Sequence, residues 1–283
     1  MAPSTGASTG RSGDLAADCG SCFGLCCVAL TFARSADFPF DKPAGDPCVH
    51  LDTQDACTIH SELRRRGFAG CTVFDCFGAG QKVSRHTYGG RSWRDDTGIR
   101  NGMFAVFRVV RRLHELLWYL EHAVRLTAGP QAATLAERAA HVRALSDGPA
   151  DALLALDVDA EYDAARPLLV HASDHARRGV GASAVRSDRR LVPGSDLAGA
   201  RLRGADLSGT CLRGALLIGA DLAGARLDRC DLLGADLRDA DVTGADLTDA
   251  IFLTQVQVNS ARGDSTTRIP AGLDRPAHWR TGC

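Results

Sequence analysis

The sequence predicts a multidomain chain: an irregular cysteine-rich N-terminal metal module, a helical middle segment and a C-terminal solenoid whose coils have four short sides. Three observations carry this expectation. A five-residue period runs unbroken through 192–256, an apolar stripe with alternating steps of three and four covers 103–124, and eight cysteines fall between Cys19 and Cys76. The length of 283 residues allows about two domains. At 45% apolar and 24% charged residues, ordinary cores can be buried.

The first 17 residues, rich in Ser, Gly, Thr and Ala, read as a disordered leader without the apolar core of a secretory signal. No apolar run approaches the roughly 18 residues that span a bilayer, so no membrane association is expected. A net charge of −1 argues against a surface built to bind nucleic acid directly. Of 33 basic residues only Lys42 and Lys82 are lysine, an excess of Arg that reads as coding bias. The expected location is the cytoplasm, where thiols stay reduced and clustered cysteines hold metal more often than they pair.

Residues 18–100 form the cysteine-rich module, with Cys19, Cys22, Cys26, Cys27, Cys48, Cys57, Cys71 and Cys76. Spacings this tight let several thiolates converge on one soft metal ion or cluster, which also supplies folding free energy where regular apolar pattern is scarce. Two other readings of the same residues are a set of redox disulfides and plain buried thiols. The stretches CGSCFGLCC, PCVHLDTQDACTIH and GCTVFDC resemble the CxxxCC family of zinc- or iron-chelating proteins over residues 19–77. RRRGFAG before Cys71 and His60 depart from that pattern. The resemblance implies a metal cofactor, with an iron–sulfur cluster slightly ahead of zinc. The adjacent Cys26 and Cys27 can face one centre only if the backbone turns sharply. Residues 77–90, FGAGQKVSRHTYGG, read as a mobile loop beside the cluster, where Lys82, Arg85 and His86 could meet an anion.

Residues 101–178 are helical. Met103, Val106, Val110, Leu113, Leu117, Leu120 and Val124 form one stripe, and Gly129-Pro130 ends the helix. Shorter amphipathic helices follow at about 131–146 and 160–178. The stripe closes a small bundle, or else forms a homodimer seam along 103–124. His171 and His175, four apart, read as solvent-exposed rather than ligating. A polar linker at 179–191 leads to the repeat.

From Val192 to Phe252 a large apolar residue recurs every five positions, and two positions earlier sits a small one, such as Ala205, Ala220 or Cys230. A period of five fits neither helix nor flat strand. It fits a coil of four sides in which both residues point inward and the other three face water. ADLSG, ADLAG, ADLRD and ADLTD resemble the pentapeptide-repeat family, which implies a right-handed quadrilateral β-helix of about three coils at 192–256. Residues 257–283 form a C-terminal cap, with Ile269, Leu273 and Trp279 over the last coil. Cys211, Cys230 and Cys283 are not ligand candidates, and Arg262-Gly263-Asp264 is not read as an adhesion signal.

No catalytic or small-molecule cofactor site can be argued from these patterns. The expected function is a non-enzymatic metal-binding protein that presents the solenoid surface to a protein partner. Two alternatives are a redox or enzymatic protein using an N-terminal iron–sulfur cluster, and a DNA mimic protecting DNA gyrase or another topoisomerase. For the last, residues 192–256 hold ten Asp and six Arg.

Overall fold

The computed structural model describes residues 13–180 and 190–279. The expected leader lies outside the described residues as far as position 12, and the linker does so over 181–189. At the end of the expected leader, Leu15 is fully buried, so that residue belongs to a core. Contacts divide the described chain into two compact units, one of 13–124 with 128–169, the other of 125–127 with 170–180 and 190–279.

The first unit contains the cysteine segment and most of the helices. Its early part is irregular, with short helices α1 (Leu25–Ala29), α2 (Ala69–Val73) and α3 (Ala79–Gln81). Single antiparallel bridges join Phe32 to Lys42 and Leu51 to Cys57. Scarce as its regular apolar pattern is, this segment has a core of its own. Phe32 stacks on Phe38 with ring centroids 4.3 Å apart, and Phe68 meets Phe40 edge-on at 5.6 Å. These rings cover Ile59 and Leu63, with Cys57 and Cys71 against them.

Residues 79–87 are not the mobile loop that their glycines suggest. After α3 the chain continues as a π-helical turn, Lys82–Thr87, in which Val83 and Ser84 are fully buried. Tyr88 N–H reaches the Val83 carbonyl at 3.1 Å. Lys82 pairs with Asp147, and Arg85 donates to the Ser21 carbonyl while lying over the Phe23 ring. Both cations are tied internally.

Helix α4 (Thr97–Arg125) carries the predicted stripe, and Met103, Val106, Val110, Leu113, Leu117 and Leu120 are all fully buried within the single chain. The stripe therefore closes a core and leaves no apolar seam there for a second copy. α5 (Gly129–Ser146) begins at the Gly-Pro pair, which starts this helix instead of ending α4, with Gly129 at φ 60 and Pro130 in the first turn. α6 (Ala150–Ala155) and α7 (Val158–Arg177) follow. No helix among the described residues is long and apolar enough to cross a membrane.

The second unit is built on the five-residue period. Single-residue parallel bridges link positions twenty apart, among them Asp196 to Leu216, Leu216 to Asp236, Asp206 to Arg226 and Arg226 to Asp246. Each coil is thus four pentapeptides. Among the described residues the ladder consists of isolated bridges and contains no longer strand. Leu207, Leu212, Leu217, Leu222 and Leu227 are fully buried, as are Ala215, Ala220, Ala225 and Cys230. From Leu207 onward the large and small positions both point inward, whereas Val192 at the start of the period is exposed and Leu202 is half-buried. Turns are closed by the position two after each leucine, as at Gly219 with φ 62, where an added Cβ would be strained although nothing crowds it.

The ladder runs beyond 256. Asp241 bridges Arg262 and Asp246 bridges Arg268. Between them α8 (Gln255–Ser260) opens with a capping box of Thr254 and Gln257. The Gln257 amide also donates to the carbonyls of Leu232 at 2.7 Å and Ala235 at 2.9 Å. Trp279 and Leu273 are buried as expected of a cap, while Ile269 is half-buried. The Trp279 indole donates to Ala261 O at 3.0 Å.

Candidate functional site

The eight cysteines of 19–76 all fall in the first unit, and every described cysteine is unbridged. Helix α1 places Cys26 and Cys27 together, with their sulfurs 3.9 Å apart. The tight turn is made possible by Gly24 at φ 63, whose added Cβ would strike the Leu51 side chain at 2.6 Å.

One group of thiols surrounds Cys27. Its proton is shared toward Cys26 and Cys57, which pushes the Cys27 thiol far up, lowers Cys26, and brings Cys57 down to about 6. The Ile59 N–H and the nearby imidazoles of His60 and His50 lower Cys57 further. A second group flanks α3. Burial raises Cys22 and Cys76 to about 12 each and Cys19 to about 11. Backbone N–H groups nevertheless reach these sulfurs: Leu25 to Cys22 at 3.5 Å, and Gly80 and Gly78 to Cys76. Cys26 is an electrostatic neighbour of Cys19, Cys22, Cys71 and Cys76, so it joins the two groups. Cys71 is raised to about 12 by burial, and Cys48 is buried, its N–H on the Cys27 carbonyl at 3.0 Å.

Gly80 shows what the second group demands of the backbone. A Cβ there would lie 2.7 Å from the Cys22 sulfur and 3.9 Å from that of Cys76. The fully buried glycine keeps open the space beside both thiols. Among the described residues, no three His, Cys, Asp or Glu side chains are already gathered in ligating positions. The cysteines come as close pairs and short chains. In donor chemistry the set still fits a soft metal: unbridged and mostly half-buried cysteines, with N–H groups on the sulfurs of Cys22 and Cys76 to stabilise thiolate. Because burial raises Cys19, Cys22, Cys71 and Cys76, binding of a metal there would release protons and weaken on acidification.

The other candidates have ordinary roles. His171 and His175 are exposed, and His175 meets Arg178 at 3.0 Å. Cys230 fills an inward position, Cys211 lies on the outside of the coil, and Cys283 is outside the described residues. Two structural features escaped the sequence reading. Lys42 is a buried cation beside the thiols, and nothing in its neighbours' spacing marks it. The column Cys211, Asp231, Ile251 is covered by the end of α7, and its signal is readable only at a period of twenty.

The family model for pentapeptide repeats matches the chain at 192–217 and 215–252, in eight copies. The chain is 54% identical over 268 residues to the uncharacterized protein YybG of Bacillus subtilis (strain 168), covering 94% of this chain and 95% of that protein. It belongs to that protein's family, with pentapeptide repeats in its C-terminal unit. No solved structure matches the chain.

Proposed function

We propose that the eight cysteines form a metal centre, an iron–sulfur cluster or zinc, in a non-enzymatic cytoplasmic protein whose repeat presents a surface to a protein partner. The repeat is taken as the short right-handed quadrilateral β-helix that its period implies. The observation that carries the reading is the gathering of unbridged thiols around α1 and α3, joined at Cys26, with Gly80 leaving space between Cys22 and Cys76. Cys19, Cys22, Cys26, Cys27, Cys48, Cys57, Cys71 and Cys76 are the residues that would hold the metal. When bound, the metal supplies positive charge that neutralises thiolates and ties the irregular segment together.

On the repeat, ion pairs support a scaffold over a DNA mimic. Arg203 pairs with Asp221, Arg238 with Asp236 and Arg268 with Asp246, so much of the acidic array is locally neutralised. The exposed Leu216 stands in the outward column between Asp196 and Asp236, a column open to a partner.

The test is elemental analysis and absorption of the full chain purified without air. Stoichiometric iron with broad absorbance near ~400 nm identifies an iron–sulfur cluster, and zinc without colour identifies a thiolate zinc site. Metal at buffer background in such preparations overturns the reading and leaves buried thiols as the account of the cluster.

A further inference from the structure

The ladder of the repeat has one open edge. In the second coil the N–H groups of Leu216, Asp221 and Arg226 each donate to the coil before, on the carbonyls of Ser195, Ala200 and Ala205, all at 2.9 Å. The equivalent groups of the first coil, at Asp196, Arg201 and Asp206, have no backbone partner among the described residues. The other end of the repeat is closed by α8 and by the segment that runs to Trp279. Within the first coil, Leu207 and Thr210 are buried. The sides that carry Asp196 and Arg201 are open instead. There Val192 is 46% exposed and Leu202 half-buried, and Leu191, Leu197, Ala200 and Leu202 line a cavity of about 340 Å³. An unpaired edge beside apolar side chains is a template for another chain.

We infer that this open edge docks a second copy of the chain, first coil to first coil, about a twofold axis at the corner between the Asp196 and Arg201 sides. Charge selects both the occupant and the axis. The two side chains are exposed and have no ion-pair partner among the described residues. Coils related by such an axis run in opposite directions, so Asp196 of each copy faces Arg201 of the other. Residues opposed in this way can also exchange two backbone hydrogen bonds. An axis through the Arg201 side would set Arg201 against Arg201 and Asp196 against Asp206, which like charge disfavours. With a single open end the contact is isologous and closes at two copies. The inference rests on the repeat as a partner surface and is independent of the metal centre.

The experiment is sedimentation equilibrium of the full chain in wild type, Arg201→Asp, Asp196→Arg and an equimolar mixture of the two variants. Wild type is expected to double its mass as concentration rises. Each variant alone is expected to need roughly tenfold or more protein for the same dimer fraction, because the twofold turns one reversal into two like-charge contacts. In the mixture an acidic edge meets a basic one, so the dimer is expected to return near the wild-type concentration. A wild type that stays monomeric up to ~100 μM overturns the docking and leaves the Leu216 column as the partner surface. A wild-type dimer that neither reversal weakens, or a mixture no more dimeric than its components, overturns the contact of Asp196 with Arg201.

Discussion

At the residue scale, the aspartates of the repeat are turn-closing groups before they are surface charges. Asp206, Asp221 and Asp246 each accept the backbone N–H two residues on, at 3.1 Å. Asp241 and Asp231 do the same at 3.0 Å. An inward substitution and an outward one in adjacent positions should therefore differ in size. Leu222→Asp puts an unpaired carboxylate in a fully buried column and should unfold the second unit, a loss of about 4 kcal/mol or more. Asp221→Leu forfeits the bond to Ala223 N–H and an exposed pair with Arg203, about 1 kcal/mol. Thermal melts of the two variants decide it, and equal shifts would contradict the inward and outward assignment. The alternation of Leu222 and Ala220 was readable from spacing alone. The purpose of Asp221 was readable only by asking where the next N–H but one goes.

At the element scale, two side chains fix helices in place. His114 of α4 is 2% exposed and its Nδ1 meets the Phe77 carbonyl at 2.7 Å. Burial brings it down to about 4, so the folded chain keeps it neutral. The unfolded chain takes up a proton below about 6.5. Stability of the first unit is complete above that value and falls as pH drops toward about 4, by up to ~3 kcal/mol from this residue. Denaturation midpoints at pH 7 and pH 4.5 should differ more in wild type than in His114→Gln, and identical pH slopes would remove the claim. In the second unit, Asp231 is fully buried and accepts from Ser173 Oγ of α7 and from Arg213, both at 2.6 Å. Ile251 and Leu253 beside it are buried as well. Asp231→Asn should cost about 3 kcal/mol by stranding Arg213, and Ser173→Ala about 1 kcal/mol, both read from melting of the second unit. A loss for Ser173→Ala as large as that for Asp231→Asn would mean that the helix contact, and not the ion pair, dominates. Helix α7 was foreseen from its amphipathic pattern, but its docking was not, because Ser173 and Asp231 lie 58 positions apart with no shared local motif.

For the whole molecule, the division into two units would make loss of a bound metal a local event. The double substitution Cys26→Ser/Cys27→Ser should lose metal and open residues 19–100 to protease, while the repeat at 192–256 stays resistant. Mass spectrometry of the limited digest checks this, and cleavage throughout the repeat at the same dose would show that the units do not unfold separately. The aromatic cluster of Phe32, Phe38, Phe40 and Phe68 sets a limit on the expected effect, because it packs without any metal ligand bond. That cluster was hidden in the sequence: its four rings are spread over irregular chain with neither a period of two nor of 3.6. The same absence of period made residues 79–87 look like a loop, although Val83 and Ser84 lie in a core. Where the repeat imposed strict spacing, fold and sequence agreed from Leu207 onward, while Val192 at its start is exposed. Where tertiary contacts did the work, only the cysteines stood out.

The bridges that pair each residue with the one twenty further on fix how this protein can change in length. Every outward column has a phase. Losing or gaining one pentapeptide preserves the local motif yet rotates all later residues by a quarter of a coil. Cys211 would then no longer sit beneath Asp231, and the buried carboxylate would be carried away from Ser173 to a side facing water. A change of twenty residues restores every column. Relatives of different repeat length that keep the α7 contact should therefore differ by whole coils between the docking column and its neighbours, with odd pentapeptides tolerated only near the open first coil around Leu197 and Leu202, before the latch begins.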